Sequence, residues 1–124
     1  MVEDDEGVTK MLRVFLRSEG FETTEVTTGG EALHILEHQP PDATVLDLGL
    51  PDDQGKGVLD WLRQHDDTTS SSPVWVAISA LDRQETTKRY GPLGSHFLAK
   101  PFDPWRLVAM LGDLLSAKGR PFQP

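Results

Sequence analysis

Cysteine is absent from this chain of 124 residues, so neither disulfides nor thiol chemistry takes part in its folding or function. Basic residues are scarce: 12 Lys and Arg face 20 Asp and Glu, a formal charge of −8. Such a charge repels phosphate backbones, and direct nucleic-acid binding is not expected. No uninterrupted apolar stretch approaches the ~20 residues of a membrane span. The N-terminus also lacks the basic-then-apolar order of a secretory signal. These absences lead to the expectation of a soluble cytoplasmic domain without a membrane partner. Its length suits one domain, which buries roughly two-thirds of its unfolded surface and needs no structural metal.

What the chain does have is apolar punctuation. Val8, Met11, Leu12, Phe15 and Leu16 fall on one helical face, stopped by Gly20. Phe21 to Thr27, rich in Thr and Val, predicts a strand. After Gly29-Gly30, Glu31 to His38 reads as a second helix, ended by Pro40-Pro41. Ala43 to Leu46 is the next strand, and Val58, Leu59 and Leu62 mark a third helix. A polar loop from Asp66 to Ser72 precedes the strand Val74 to Ile78. Leu81 to Tyr90 is a polar helix stopped by Gly91-Pro92. His96 to Ala99 is a short strand. Asp103-Pro104 opens a last helix that buries Leu107, Val108, Leu111, Leu114 and Leu115. Strands alternating with helices predict a parallel sheet covered on both faces.

Only Met1 and Val2 stand before Glu3-Asp4-Asp5, where such a domain needs its first strand. The residues imply either a very short first strand or a chain whose true start lies upstream.

Charged and polar residues follow the strands: Glu3-Asp4, Asp47, Ser79-Ala80 and Lys100-Pro101. Strand ends of a parallel sheet share one edge, where ligands of open α/β sheets bind. A carboxylate ending an apolar strand is costly to bury alone and needs a cation or a task. The set suits phosphoryl transfer to a carboxylate. Asp47 is the candidate nucleophile, Asp4 a metal carboxylate and Glu3 a holder of metal-bound water, with Mg²⁺ as the ion. Ser79 can donate to a phosphoryl oxygen, and Lys100 supplies a point charge. Plainer readings exist for each: a cap or loop acid for Asp47, first-turn acids for Glu3 and Asp4, a satisfied strand end for Ser79, a surface lysine for Lys100. For Asp5 the helix-start reading is preferred. The histidines share no ligand spacing.

The motifs V-E-D-D at 2–5, L-D-L-G-L-P-D at 46–52, Ser79-Ala80 and K-P-F at 100–102 resemble the receiver domain of two-component response regulators, the CheY-like family. The resemblance implies a doubly wound α/β fold. Its five-stranded parallel sheet has the flavodoxin-like order 2-1-3-4-5, with helices on both faces and here a truncated first strand. Residues 1–118 would be the receiver and 119–124 a polar tail or linker start. Asp47 would accept phosphate from a sensor histidine kinase or histidine phosphotransfer protein. Glu3, Asp4, Asp47 and the Gly49 backbone carbonyl would serve Mg²⁺. Ser79 would be the switch hydroxyl and Phe97 the switch aromatic that turns inward. The chain would be a signalling domain rather than an enzyme, catalysing only its own phosphorylation and slow dephosphorylation.

Ser95-His96 stands where transcription-factor receivers carry an acidic pair, which argues for a monomer or an unusual dimer. Gly49 and Leu81 occupy the positions that tune phosphoryl lifetime, and neither can orient water. An alternative is a non-phosphorylated pseudo-receiver that acts as a protein-interaction module. A hydrolase with an aspartyl-phosphate intermediate ranks lower, because Gly49 stands where such enzymes place a second Asp.

Overall fold

The computed structural model describes residues 1–50, 54–65 and 73–119. Along the chain run α1 (Glu6–Ser18), α2 (Gly29–His38), β1 (Ala43–Asp47), α3 (Gln54–Gln64), β2 (Val74–Ser79), α4 (Arg83–Tyr90), β3 (Phe97–Ala99) and α5 (Pro104–Ala117). A 3-10 turn, Gly94–His96, leads into β3. The expected loop at 66–72 and the tail beyond Gly119 lie outside the described residues.

The three strands form a parallel sheet in the order β1-β2-β3. Asp47 stands opposite Ile78, and Ser79 opposite Ala99. Successive side chains point to opposite faces. Leu46, Trp75, Ala77 and Phe97 therefore join the core under α2 and α3. Val45, Val74, Val76, Ile78 and Leu98 join the core shared with α1 and α5. No helix among the described residues is long and apolar enough to cross a membrane.

Where five strands were expected, three are formed among the described residues, and two further positions are single bridges. Val2 bridges in parallel to Val26 on one side and to Leu46 on the other. Its N–H donates to Val45 O at 2.8 Å, and its carbonyl accepts from Asp47 N at 2.9 Å. Phe21 to Thr27 is not a strand: within it Val26 alone bridges, to Val2, its N–H donating to Met1 O and its carbonyl accepting from Glu3 N. Thr and Val favour extended backbone, but a strand exists only where a ladder is made. Where the ladder stops, a cavity of about 370 Å³ opens beside Met1. Leu16 and Leu111 line it from one face of the sheet, Ile35 and Leu36 from the other.

Helix starts follow the capping residues. Asp5 Oδ1 accepts from Gly7 N and Val8 N, Thr28 caps α2, Asp82 caps α4, and Asp103 caps α5 ahead of Pro104. Met11 departs from expectation. It is 43 % exposed, while Leu12 and Leu16 are the buried residues of α1. Two glycines permit close approaches near the sheet edge. A Cβ on Gly29 would lie 2.6 Å from the Gln54 carbonyl oxygen, and one on Gly55 would lie 3.0 Å from Asp47 O. The starts of α2 and α3 thereby sit against each other and against the end of β1.

α4 is polar and short, with Thr86 and Tyr90 as its buried residues. It ends as expected at Gly91, whose φ of +83° is left-handed.

Candidate functional site

The two hydrogen bonds that fix Val2 against β1 also decide where the next side chains go. Glu3 N donates to Val26 O at 3.1 Å, so the chain is held on both sides just as it leaves the sheet. Asp5 turns away to cap α1. Glu3 and Asp4 are left at the carboxyl edge beside Asp47, the last residue of β1. One ligand oxygen from each of these three acids lies within 4.8 Å of the others. Glu3 and Asp47 are buried, whereas Asp4 is exposed and gives the cluster its open side.

Lys100 comes from the end of β3. Its N–H donates to Ser79 O at 2.7 Å, which carries the residue over the sheet edge. Its ammonium then reaches Glu3 Oε2 at 3.1 Å and Asp47 Oδ2 at 3.3 Å. Burial pulls the lysine pKa down, but the two carboxylates outweigh it and leave the pKa raised. Glu3 is pushed up to about 7. Burial is the main cause, and the neighbouring Asp47 carboxylate adds to it. One ammonium among three converging acids leaves the cluster short of positive charge.

The other residues singled out from sequence stand close by in the fold. Ser79, buried at the end of β2, accepts from Leu81 N at 3.0 Å through its hydroxyl. Gly49 donates its N–H to Asp47 Oδ1 at 2.8 Å. A Cβ on Gly49 would stand 3.2 Å from that same oxygen, a tight contact that glycine avoids. Phe97 is buried, and the Arg83 guanidinium lies 5.2 Å from its ring centroid. His96 stacks on Trp75 with ring centroids 4.0 Å apart, and its Nδ1 lies 2.9 Å from Trp75 O. That packing role differs from anything an acidic residue could do there. Among the described residues, no histidine joins a cluster able to hold a metal.

Tyr90 and Arg63 escaped the sequence reading. The Tyr90 hydroxyl donates to Leu48 O at 3.1 Å in a buried contact. Arg63 donates to Tyr90 O at 2.6 Å and to Pro92 O at 3.0 Å. The one available signal was a large aromatic closing an otherwise polar helix.

Comparison with known proteins agrees with this geometry. Residues 1–112 match the family described as response regulator receiver domain. The DNA-binding response regulator MtrA of Mycolicibacterium smegmatis is 32 % identical over 109 residues, which is 88 % of this chain and 46 % of MtrA. The transcriptional regulatory protein GltR of Pseudomonas aeruginosa is 26 % identical over 115 residues, 93 % of this chain and 47 % of GltR. The chain thus spans about half the length of these curated relatives. A putative response regulator from Chloroflexus aurantiacus superimposes with a TM-score of 0.72 at 30 % identity, covering 93 % of each chain. The receiver domain of the Francisella response regulator 1452 gives 0.74 at 26 % identity, again covering 93 % of each.

Proposed function

Because the chain belongs to the response regulator receiver domain family, we propose that it is a phosphorylation-operated switch with Asp47 as the phosphoacceptor. The observation that carries this reading is the buried carboxylate of Asp47, held between Lys100 and the acids Glu3 and Asp4. An oxygen of Asp47 attacks the phosphorus of a phosphohistidine on a sensor kinase or histidine phosphotransfer protein. The P–O bond forms as the P–N bond breaks, and the departing imidazole takes up a proton. Lys100 offsets the charge on the phosphoryl oxygens, and the Ser79 hydroxyl can turn from its local bond to donate to one of them.

The acid cluster fits Mg²⁺, which favours hard oxygen donors and one or two carboxylates. Asp4, Asp47 and the Gly49 carbonyl would hold the ion, with Glu3 behind them. When bound, it supplies positive charge against the phosphoryl oxygens. Phe97, buried in the core, would be the switch aromatic of this reading. On this reading Val26 and Val2 stand for strands two and one of the order 2-1-3-4-5. The domain would work in the cytoplasm and pass its state to an effector domain or partner protein.

Incubation with acetyl phosphate and Mg²⁺ followed by intact-mass measurement tests the proposal. The expected result is one added phosphoryl group that disappears in Asp47→Ala. No adduct under these conditions would favour a constitutive interaction module instead.

A further inference from the structure

The Leu48–Gly49 peptide unit is held at both ends. Its carbonyl accepts from the Tyr90 hydroxyl at 3.1 Å, and its N–H donates to Asp47 Oδ1 at 2.8 Å. A peptide unit is planar and stiff, so its oxygen and its N–H move as one body. Any tilt that changes the bond to Asp47 also changes the bond to Tyr90. Neither contact is screened by much water: Asp47 is 4 % exposed and Tyr90 9 %.

Tyr90 is also where α4 is tied down. Arg63, on α3, grips the carbonyls of Tyr90 and Pro92, on either side of the left-handed Gly91. We infer that Tyr90 is a positioning residue that couples the Asp47 carboxylate to the end of α4 through the Leu48–Gly49 peptide. The inference rests on Asp47 being the phosphoacceptor.

The coupling follows from acceptor chemistry. A carboxylate accepts a charge-assisted hydrogen bond from Gly49 N–H, roughly twice as strong as a neutral one. An acyl phosphate leaves no negative charge on the aspartyl oxygens themselves, so that bond weakens on phosphorylation. The peptide unit is then freer to tilt, and the Tyr90 hydroxyl must follow Leu48 O or give it up. In either case the end of α4 receives the signal directly, by a route that uses neither Ser79 nor Phe97.

The test uses beryllium trifluoride with Mg²⁺ as phosphate analogue and amide NMR of the whole chain. In the native protein the Gly49 amide and the amides of 86–91 should shift together when the analogue is added. In Tyr90→Phe, which keeps the ring and loses only the hydroxyl, the Gly49 amide should still shift. The α4 response should fall clearly below the native one. Thr86→Val removes the hydroxyl of the other buried residue of α4 and leaves the peptide unit alone, so it should keep the native response. An equal α4 response in Tyr90→Phe overturns the coupling while leaving the acceptor reading intact. A Gly49 amide that does not move in the native chain overturns both.

Discussion

The ammonium of Lys100 lies 3.3 Å from Oδ2 of Asp47, across the carboxyl edge of the sheet. The lysine answers two buried acids at once, since Glu3 Oε2 is 3.1 Å away. Removing it as Lys100→Met strands both carboxylates. Breaking a fully buried pair costs roughly 3–5 kcal/mol. Here the lysine side chain is 22 % exposed and Glu3 can take up a proton. The expected loss is therefore smaller, about 2 kcal/mol by urea unfolding without metal. Acceptance of phosphate from acetyl phosphate should fall with it.

The raised pKa of Glu3 gives stability a definite pH slope. The folded protein binds this proton more tightly than the unfolded chain, whose ordinary value is 4.5. The resulting stabilisation is fully present below 4.5 and is lost as pH rises through about 7. Thermal melts in metal-free buffer should therefore show falling stability between these values. Glu3→Gln should flatten that part of the profile, and Mg²⁺ should flatten it in the native chain by favouring the ionised acid. A Glu3→Gln profile parallel to the native one would rule out this origin.

Two adjacent glycines in the first turn of α2 should respond oppositely to alanine. Gly29→Ala places a Cβ 2.6 Å from a backbone oxygen of Gln54, which cannot move aside cheaply. Overpacking of this kind costs about 1–3 kcal/mol. Gly30→Ala meets nothing within 4 Å and should be neutral or stabilising by about 0.5 kcal/mol. Chemical denaturation of the two variants side by side checks the contrast.

Phosphoryl lifetime should be long. Leu81 is 39 % exposed and has no polar side-chain group, and Gly49 has no side chain. Neither can orient an attacking water, so the isolated domain should lose phosphate slowly. Introducing a polar side chain at the exposed position, as Leu81→Glu, should shorten the lifetime several-fold in a phosphate-release assay. A native half-life of seconds would contradict the argument.

Most of the element order was legible because it rests on local patterning. The apolar spacing from Val8 to Leu16, the Asp103-Pro104 start of α5 and the Gly91 stop of α4 each act within a few residues. The convergence of Glu3, Asp4, Asp47 and Lys100 was legible for a different reason: parallel strands deliver their ends to one edge. Reading failed where the outcome depended on a distant partner. Phe21 to Thr27 has strand composition, yet only Val26 finds a bridge. Nothing near Tyr90 in sequence points to Leu48, and nothing near Arg63 points to Gly91. Asp5, by contrast, caps α1 as its place at the helix start indicated.

The sparse anchoring of α4 has a consequence for how the domain opens. Thr86 and Tyr90 are the buried residues of that helix, whereas α5 buries Leu107, Val108, Leu111 and Leu115. Releasing α4 from the body therefore requires far less apolar surface to meet water than releasing α5. The molecule carries a latch of low opening energy beside a rigid frame. Local opening of α4 therefore exposes less apolar surface than loosening the frame that holds the acids in place.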